Sequence, residues 1–95
     1  MEKSNKAVER KTTEITSLVI TRVHEGKRKG LIFFDMIING ICINGMSVVP
    51  AESGDFLSFP SYKGNDGKWY HHVWIDLSDA DSAKILKLVQ TKLDE

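Results

Sequence analysis

Two Asn-Gly dipeptides, Asn39-Gly40 and Asn44-Gly45, lie inside a long apolar region and constrain the fold more than any other feature. Asn-Gly accepts the positive φ angles of a two-residue hairpin turn, so the first pair predicts a tight turn between antiparallel strands at residues 31–38 and 41–49. The three residues between the pairs are too few for two complete hairpins. We therefore interpret the second pair as a β-bulge inside the strand that follows the turn.

Three further segments have strand patterns. Residues 14–24 are rich in β-branched side chains, residues 56–59 form a short apolar run, and residues 68–77 alternate between apolar and polar side chains. The apolar residues near the C-terminus recur instead at helical spacing, after Ser78 as a predicted N-cap: Ile85, Leu86, Val89 and Leu93. The sequence predicts an α+β fold, an antiparallel sheet of about five strands followed by a C-terminal α-helix.

The alternation in residues 68–77 also predicts which side chains share a face. Tyr70, His72 and Trp74 fall on one face, where we expect Trp74 to be the most buried. The opposite, apolar face carries Trp69, His71, Val73, Ile75 and Leu77. His71 is expected to be a core histidine. Cys42 has apolar neighbours and is expected to be buried and unreactive. Asp35, inside an apolar strand, is expected to form an ion pair or to face solvent.

A length of 95 residues allows one domain with a thin core. We expect residues 1–13 to be a flexible charged arm and residues 14–95 to be the domain. The thin core favours a dimer, in which the C-terminal helix covers either the sheet of its own subunit or that of the other. The segment at residues 1–6 is polar and no apolar run follows it, and no stretch approaches 18 apolar residues, so neither a secretory signal nor a membrane span is expected.

The single cysteine excludes an internal disulfide, and a reducing cytoplasm is the expected location. The adjacent His71 and His72 point to opposite sides of a strand and cannot chelate one ion, so no metal site is expected. The sequence contains no phosphate-binding loop, dinucleotide fingerprint or nucleophile elbow. We therefore expect no catalytic residues and no cofactor.

The apolar strands, the turn and the segments after them resemble the stage V sporulation protein G family, also called the septation protein SpoVG family. The resemblance covers roughly residues 14–93 and depends on three segments: the strand pair between Phe33 and Val49, residues 54–61 with Phe56 and a Pro-Ser ending, and residues 66–69, an Asp-Gly pair before an aromatic residue. It implies an antiparallel sheet, a C-terminal helix, a homodimer, and a bacterial regulator that binds DNA and RNA.

The charge is unevenly distributed although 13 basic residues balance 13 acidic ones. Residues 1–30 carry eight Lys or Arg against four Glu, a net charge of plus four. Binding by net charge alone is excluded, so any anion-binding site must be a local patch. The basic side chains expected to contact phosphates are Arg22, Lys27, Arg28, Lys29, Lys63 and Lys68.

Aromatic side chains interleave with the last of these cations. Tyr62 and Tyr70 are expected to stack on bases, with His72 beside them, because every base has a flat π-face. No helix carries a basic face suited to a major groove, which favours single-stranded DNA or RNA over duplex. Packing against the helix or a dimer mate is the alternative role for these aromatic residues. The alternative function is a protein-interaction module, such as a phage or mobile-element accessory, that uses the exposed aromatic strand face.

Overall fold

The computed structural model describes residues 11–95 of the chain. The elements are β1 (Leu18–Glu25), β2 (Ile32–Ile38), β3 (Ile41–Val49), β4 (Phe56–Ser58), β5 (Ser61–Lys63), β6 (Trp69–His71) and α1 (Asp79–Leu93). Strands β1 to β4 form one antiparallel sheet in chain order, and β5 and β6 form a separate two-stranded ribbon. The predicted α+β class is confirmed. Among the described residues, no helix is both long and apolar enough to span a membrane.

Both Asn-Gly pairs have the predicted roles. Asn39 and Gly40 have φ angles of 52° and 79°, the two positive values that a type I′ turn needs. At the second pair, Phe34 pairs with Met46 but Met36 pairs with Ile43, so Asn44 and Gly45 together lie opposite one residue of β2. Gly45 has a φ of 90°, as a bulge glycine requires.

The residue opposite the bulge is Asp35. Its carboxylate accepts a hydrogen bond of 3.0 Å from the backbone N–H of Gly45. The other carboxylate oxygen lies 3.9 Å from Nε of Arg22, its neighbour on β1. The expected ion pair is confirmed, and the acid inside an apolar strand also stabilises the bulge.

The Asn39 side chain binds residues 14–17, which precede β1, to the β2–β3 turn. Its Oδ1 accepts hydrogen bonds from the Thr16 N–H at 2.7 Å, the Thr16 hydroxyl at 3.1 Å and the Ser17 N–H at 3.3 Å. Its Nδ2 donates to the Glu14 carbonyl at 2.9 Å. The strand β1 begins at Leu18 and not at Glu14 as predicted, so residues 14–17 precede it. These residues are held by the Asn39 side chain and by one backbone hydrogen bond of 2.9 Å, from the Asn39 N–H to the Ser17 carbonyl.

Substituting Asn39 is expected to destabilise the domain in two separable ways. Asn39→Ala removes these hydrogen bonds and places a side chain that disfavours positive φ at the turn, at a cost of about 2–3 kcal/mol. Asn39→Gly accepts the positive φ without strain but still lacks the side-chain hydrogen bonds, so it should lower the free energy of unfolding by about 1–2 kcal/mol. Urea denaturation followed by circular dichroism measures both. Equal stability of Asn39→Ala and the wild type would contradict this role.

The core lies between one face of the four-stranded sheet and α1. Alternate residues of β2 (Ile32, Phe34, Met36 and Ile38) are buried, and Ile85 and Val89 of the helix are fully buried against them. Ser78 is the N-cap, accepting a hydrogen bond of 3.1 Å from the Asp81 N–H. The predicted cap and apolar stripe are confirmed, and α1 covers the sheet of its own chain.

The predicted fifth strand is wrong in extent. Only Trp69–His71 of residues 68–77 is a strand, and it pairs with β5, which the sequence did not predict. The ribbon pairing ends at the hydrogen bond from the His72 N–H to the Pro60 carbonyl, at 2.8 Å. After the ribbon, Val73, Ile75 and Leu77 pack against the core between the four-stranded sheet and α1. The period-two pattern thus predicts these three inward residues correctly although they form no strand, but it fails for Trp69 and His71, which are exposed.

The expectation that Cys42 is buried is also wrong, because Cys42 is exposed. It pairs with Ile37, which pairs with Val19, and this row lies on the sheet face that α1 does not cover. Val19 is 54% exposed on this outer face. Apolar neighbours in sequence therefore do not bury Cys42. Residues 1–10 of the predicted arm lie outside the described residues.

Candidate functional site

The ribbon of β5 and β6 carries three of the predicted site residues, and two more, Lys68 and His72, directly flank β6. Its cross-strand pairs are Ser61 with His71, Tyr62 with Tyr70, and Lys63 with Trp69. All six of these residues are exposed. Paired residues share a face of a strand pair, so one face carries Tyr62 and Tyr70 and the opposite face carries the other two pairs.

Tyr62, Tyr70 and His72 form what we term the aromatic face. The Tyr62 and Tyr70 rings stack with centroids 5.7 Å apart and an interplanar angle of 29°. The imidazole of His72 lies 4.8 Å from the Tyr62 ring. Tyr62 is 45% exposed and Tyr70 42%. The structure therefore brings these three predicted residues together around Tyr62, with their outer surfaces open to solvent.

A compact turn joins the two strands of the ribbon. The Gly64 N–H donates to the Lys68 carbonyl at 2.7 Å, and the Gly67 N–H donates to the Gly64 carbonyl at 3.0 Å. The Asp66 carboxylate accepts a hydrogen bond of 2.9 Å from the Lys68 N–H. Gly64 also packs on the Tyr70 ring, since an added Cβ would lie 2.7 Å from Cε2 of that ring. The turn thus supports one edge of the aromatic face.

The Asp66 side chain also fixes the orientation of Tyr70. The Tyr70 hydroxyl donates a hydrogen bond to the Asp66 carboxylate. This bond, followed by the one from the Lys68 N–H, holds the pKa of Asp66 below its ordinary value. The same bond raises the pKa of Tyr70 above its ordinary value. Tyr70 is therefore a neutral phenol held by its hydroxyl, with its ring available for stacking.

Sequence reasoning missed the exposure of Trp69. This side chain is 67% exposed and lies on the opposite face of the ribbon, beside Lys63. The period-two pattern assigned it to an apolar, inward face. The available signal was its position directly after the Gly64–Gly67 turn, because residues at the tip of a hairpin extend beyond the sheet that would cover them.

The predictions for His71 and Trp74 are wrong. His71 is exposed, with its ring 4.8 Å from that of Trp74, and is not a core histidine. Trp74 is 54% exposed and follows the end of β6, so it does not continue the face of Tyr70 and His72. Its ring packs on Phe59 at 5.0 Å, and its Nε1 donates to the Asp76 carboxylate at 2.8 Å.

The predicted cations fall into separate groups. Lys63 and Lys68 belong to the ribbon, whereas Lys27, Arg28 and Lys29 form the exposed loop between β1 and β2. Arg28 donates a hydrogen bond of 3.3 Å to the Pro50 carbonyl, just beyond the end of β3. The ribbon instead begins after Pro60, which lies against Gly45 in the middle of β3.

The basic loop therefore lies near the end of β3, whereas the ribbon that carries the aromatic face starts beside the middle of β3. Arg22 lies on the edge strand β1 with its side chain 79% exposed, near Asp35. Lys63 and Lys68 lie on the ribbon with the aromatic residues, Lys63 on the opposite face beside Trp69, whereas Arg22 and the basic loop belong to β1 and the β1–β2 connection.

Within residues 11–95, no three His, Cys, Asp or Glu side chains are close enough to hold a metal ion. Comparison of the chain with family models, curated proteins and solved structures gave no match. The resemblance to the SpoVG family stays a prediction. A function is therefore inferred from the geometry of the ribbon and from the placement of the cations.

Proposed function

We propose that this protein binds single-stranded DNA or RNA on the aromatic face of the ribbon, without catalysis, as a cytoplasmic homodimer with a regulatory role. The observation that carries the proposal is the exposed cluster of Tyr62, Tyr70 and His72. The homodimer is supported by the exposed apolar side chains of the outer sheet face, such as Val19. The cytoplasmic location is supported by the free cysteine.

Stacking supplies affinity without sequence readout. An aromatic side chain contributes roughly 1–3 kcal/mol for each base stacked on it, whatever the base. The Tyr70 ring is held by Asp66 and Gly64, so little side-chain freedom is lost when a base stacks on it. Lys68 directly precedes β6, and Lys63 ends β5 on the opposite face of the ribbon. The phosphates of a strand that follows the narrow ribbon can contact both lysines at its edges.

Single strands fit this face better than duplex. A two-stranded ribbon can enter a major groove, but reading base edges there depends chiefly on Arg, Asn and Gln side chains. The aromatic face carries two tyrosines and a histidine instead. The first turn of α1 contains Asp79 and Asp81, so the N-terminal end of the helix would repel phosphates.

Titration of a labelled single-stranded oligonucleotide and its matched duplex tests the proposal. An oligonucleotide of about 20 nucleotides exceeds the roughly 4–16 that one small binding fold covers. We expect saturable binding that is tighter for the single strand and that weakens steeply between about 50 and 200 mM salt. No binding at low salt by folded protein would contradict the proposal. It would favour the alternative of a protein-interaction module that uses the exposed aromatic strand face.

The salt dependence tests the contribution of the basic loop separately. Replacing Lys27, Arg28 and Lys29 with alanine should reduce the slope of log affinity against log salt by about 0.7 for each phosphate that the loop neutralises in the wild type. The control replaces Lys84, Lys87 and Lys92 of α1, which changes the charge equally elsewhere. An unchanged slope in the loop variant would exclude the loop from the interface and leave the aromatic face as the sole site.

A further inference from the structure

A second surface feature lies away from the aromatic face. A groove of about 380 Å³ runs between β4, residues 74–77 and the first half of α1. Phe56, Phe59 and Trp74 contribute aromatic rings to its lining, and Leu86 closes it on the helix side. This volume is in the range of sites that hold a ligand or a few side chains of a partner.

The apolar surface of the groove extends beyond its cavity. Phe56 is 50% exposed and Trp74 is 54% exposed, although both are large and apolar. The Trp74 ring is fixed from two sides, by the Phe59 ring and by the hydrogen bond of its Nε1 to Asp76. A rigid, exposed aromatic side chain loses little entropy on binding and is typical of residues that dominate protein interfaces.

The charges in the groove are acidic. Asp55 and Asp79 belong to its lining, and no Lys or Arg is among the described residues that line it. Two carboxylates beside exposed aromatic rings favour an organic cation, because the carboxylates attract its charge and the ring faces attract it through the cation–π interaction. The same carboxylates repel a nucleic acid.

We propose that this groove docks a segment of a partner protein in which an arginine or lysine is flanked by apolar residues. The cation lies between Asp55 and Asp79, and the apolar neighbours cover Phe56 and Trp74. A peptide fits better than a small free cation, since the two half-exposed rings offer apolar surface that a single cationic group would leave uncovered. The groove acts independently of nucleic-acid binding, because it uses none of the residues of the aromatic face.

The test is a titration of ¹⁵N-labelled full-length protein with a blocked hexapeptide, Ser-Leu-Arg-Leu-Leu-Ser, up to about 1 mM. The expected result is shifts of the Trp74 indole N–H and of amides in β4, residues 74–77 and α1. The same peptide with glutamate in place of arginine should cause none. The variant carrying Asp55→Asn and Asp79→Asn should bind the arginine peptide about tenfold more weakly. The control Glu25→Gln, on β1 away from the groove, should bind it as the wild type does.

Three results would overturn the proposal. Equal binding of the glutamate peptide would show that charge plays no part. Equally tight binding of blocked arginine alone would assign the groove to a small cation. Groove shifts that depend on protein concentration, with no response to peptide, would assign it to a second copy of the chain. The affinity for the oligonucleotide should be unchanged in the Asp55→Asn and Asp79→Asn variant. The peptide and oligonucleotide titrations therefore test the groove and the aromatic face separately, and either proposal can fail without the other.

Discussion

Replacing Tyr62 with alanine is expected to weaken single-stranded oligonucleotide binding by about 10- to 100-fold, the loss of one stacked base. Tyr62 is expected to be the largest single contributor because its ring contacts both Tyr70 and His72. Its removal takes away one stacking surface and leaves the other two rings without their common support. Fluorescence anisotropy of a labelled oligonucleotide at low salt measures the change.

Two matched variants identify the cause of the loss. Tyr62→Phe keeps the ring and should bind within about twofold of the wild type, because stacking needs the π-face and not the hydroxyl. Phe56→Ala removes an equally exposed aromatic ring on β4 and should leave the affinity unchanged. Wild-type affinity in Tyr62→Ala, or an equal loss in Phe56→Ala, would show that the aromatic face is not the binding site.

The response to salt distinguishes the two functions that the sequence leaves open. Nucleic-acid binding depends on several phosphate contacts and weakens steeply with added salt, whereas an apolar protein interface on the aromatic strand face changes little. A peptide held in the groove through one cation lies between these cases, because only that charge contact is screened. The aromatic face has lysines beside it on the same ribbon, whereas the groove near Trp74 has aspartates. The structure therefore offers two surfaces of opposite charge preference.

The parts of the fold that sequence predicts correctly depend on local chemistry. Asn39-Gly40 forms the turn because both residues accept positive φ, and Ser78 caps the helix with its own hydroxyl. Neither outcome needs a distant partner. The bulge at Gly45 was also predictable, although its hydrogen bond to Asp35 requires a second strand to be in register.

The wrong predictions concern residues whose burial or strand pairing depends on tertiary contacts. The alternation of residues 68–77 points Val73, Ile75 and Leu77 inward, but the same pattern occurs in a strand and in an extended segment that packs on a core. Cys42 and Trp74 are exposed because none of the elements in residues 11–95 covers them, and local sequence does not reveal which sheet face the helix occupies.

The candidate site was predictable in part for the same reason. Tyr70 and His72 lie two residues apart, so their shared side follows from strand geometry alone. The addition of Tyr62 requires the pairing of β5 with β6, which depends on the path of the chain after Pro60. The hydrogen bond that holds Tyr70 depends on the turn that places Asp66 beside it.

The largest loss of stability is expected from Phe34→Ala. Phe34 is 2% exposed on the central strand β2, between the β1 and β3 residues Val23 and Met46, in the core under α1. Truncating a buried phenylalanine removes its transfer free energy and leaves a cavity, at a cost of about 3–5 kcal/mol. A domain of this length has about 5–14 kcal/mol in total, so urea denaturation should show a large fall in the midpoint.

Two further substitutions keep this prediction testable if Phe34→Ala fails to fold. Phe34→Leu retains most of the apolar volume and should cost about 1–2 kcal/mol, measurable in a folded protein. Val19→Ala, on the outer face where the side chain is 54% exposed, should cost less than about 1 kcal/mol. A larger loss in Val19→Ala than in Phe34→Leu would mean that the outer face is the better buried one in solution. The core would then lie on the side of the sheet opposite α1, or a second subunit would cover that side.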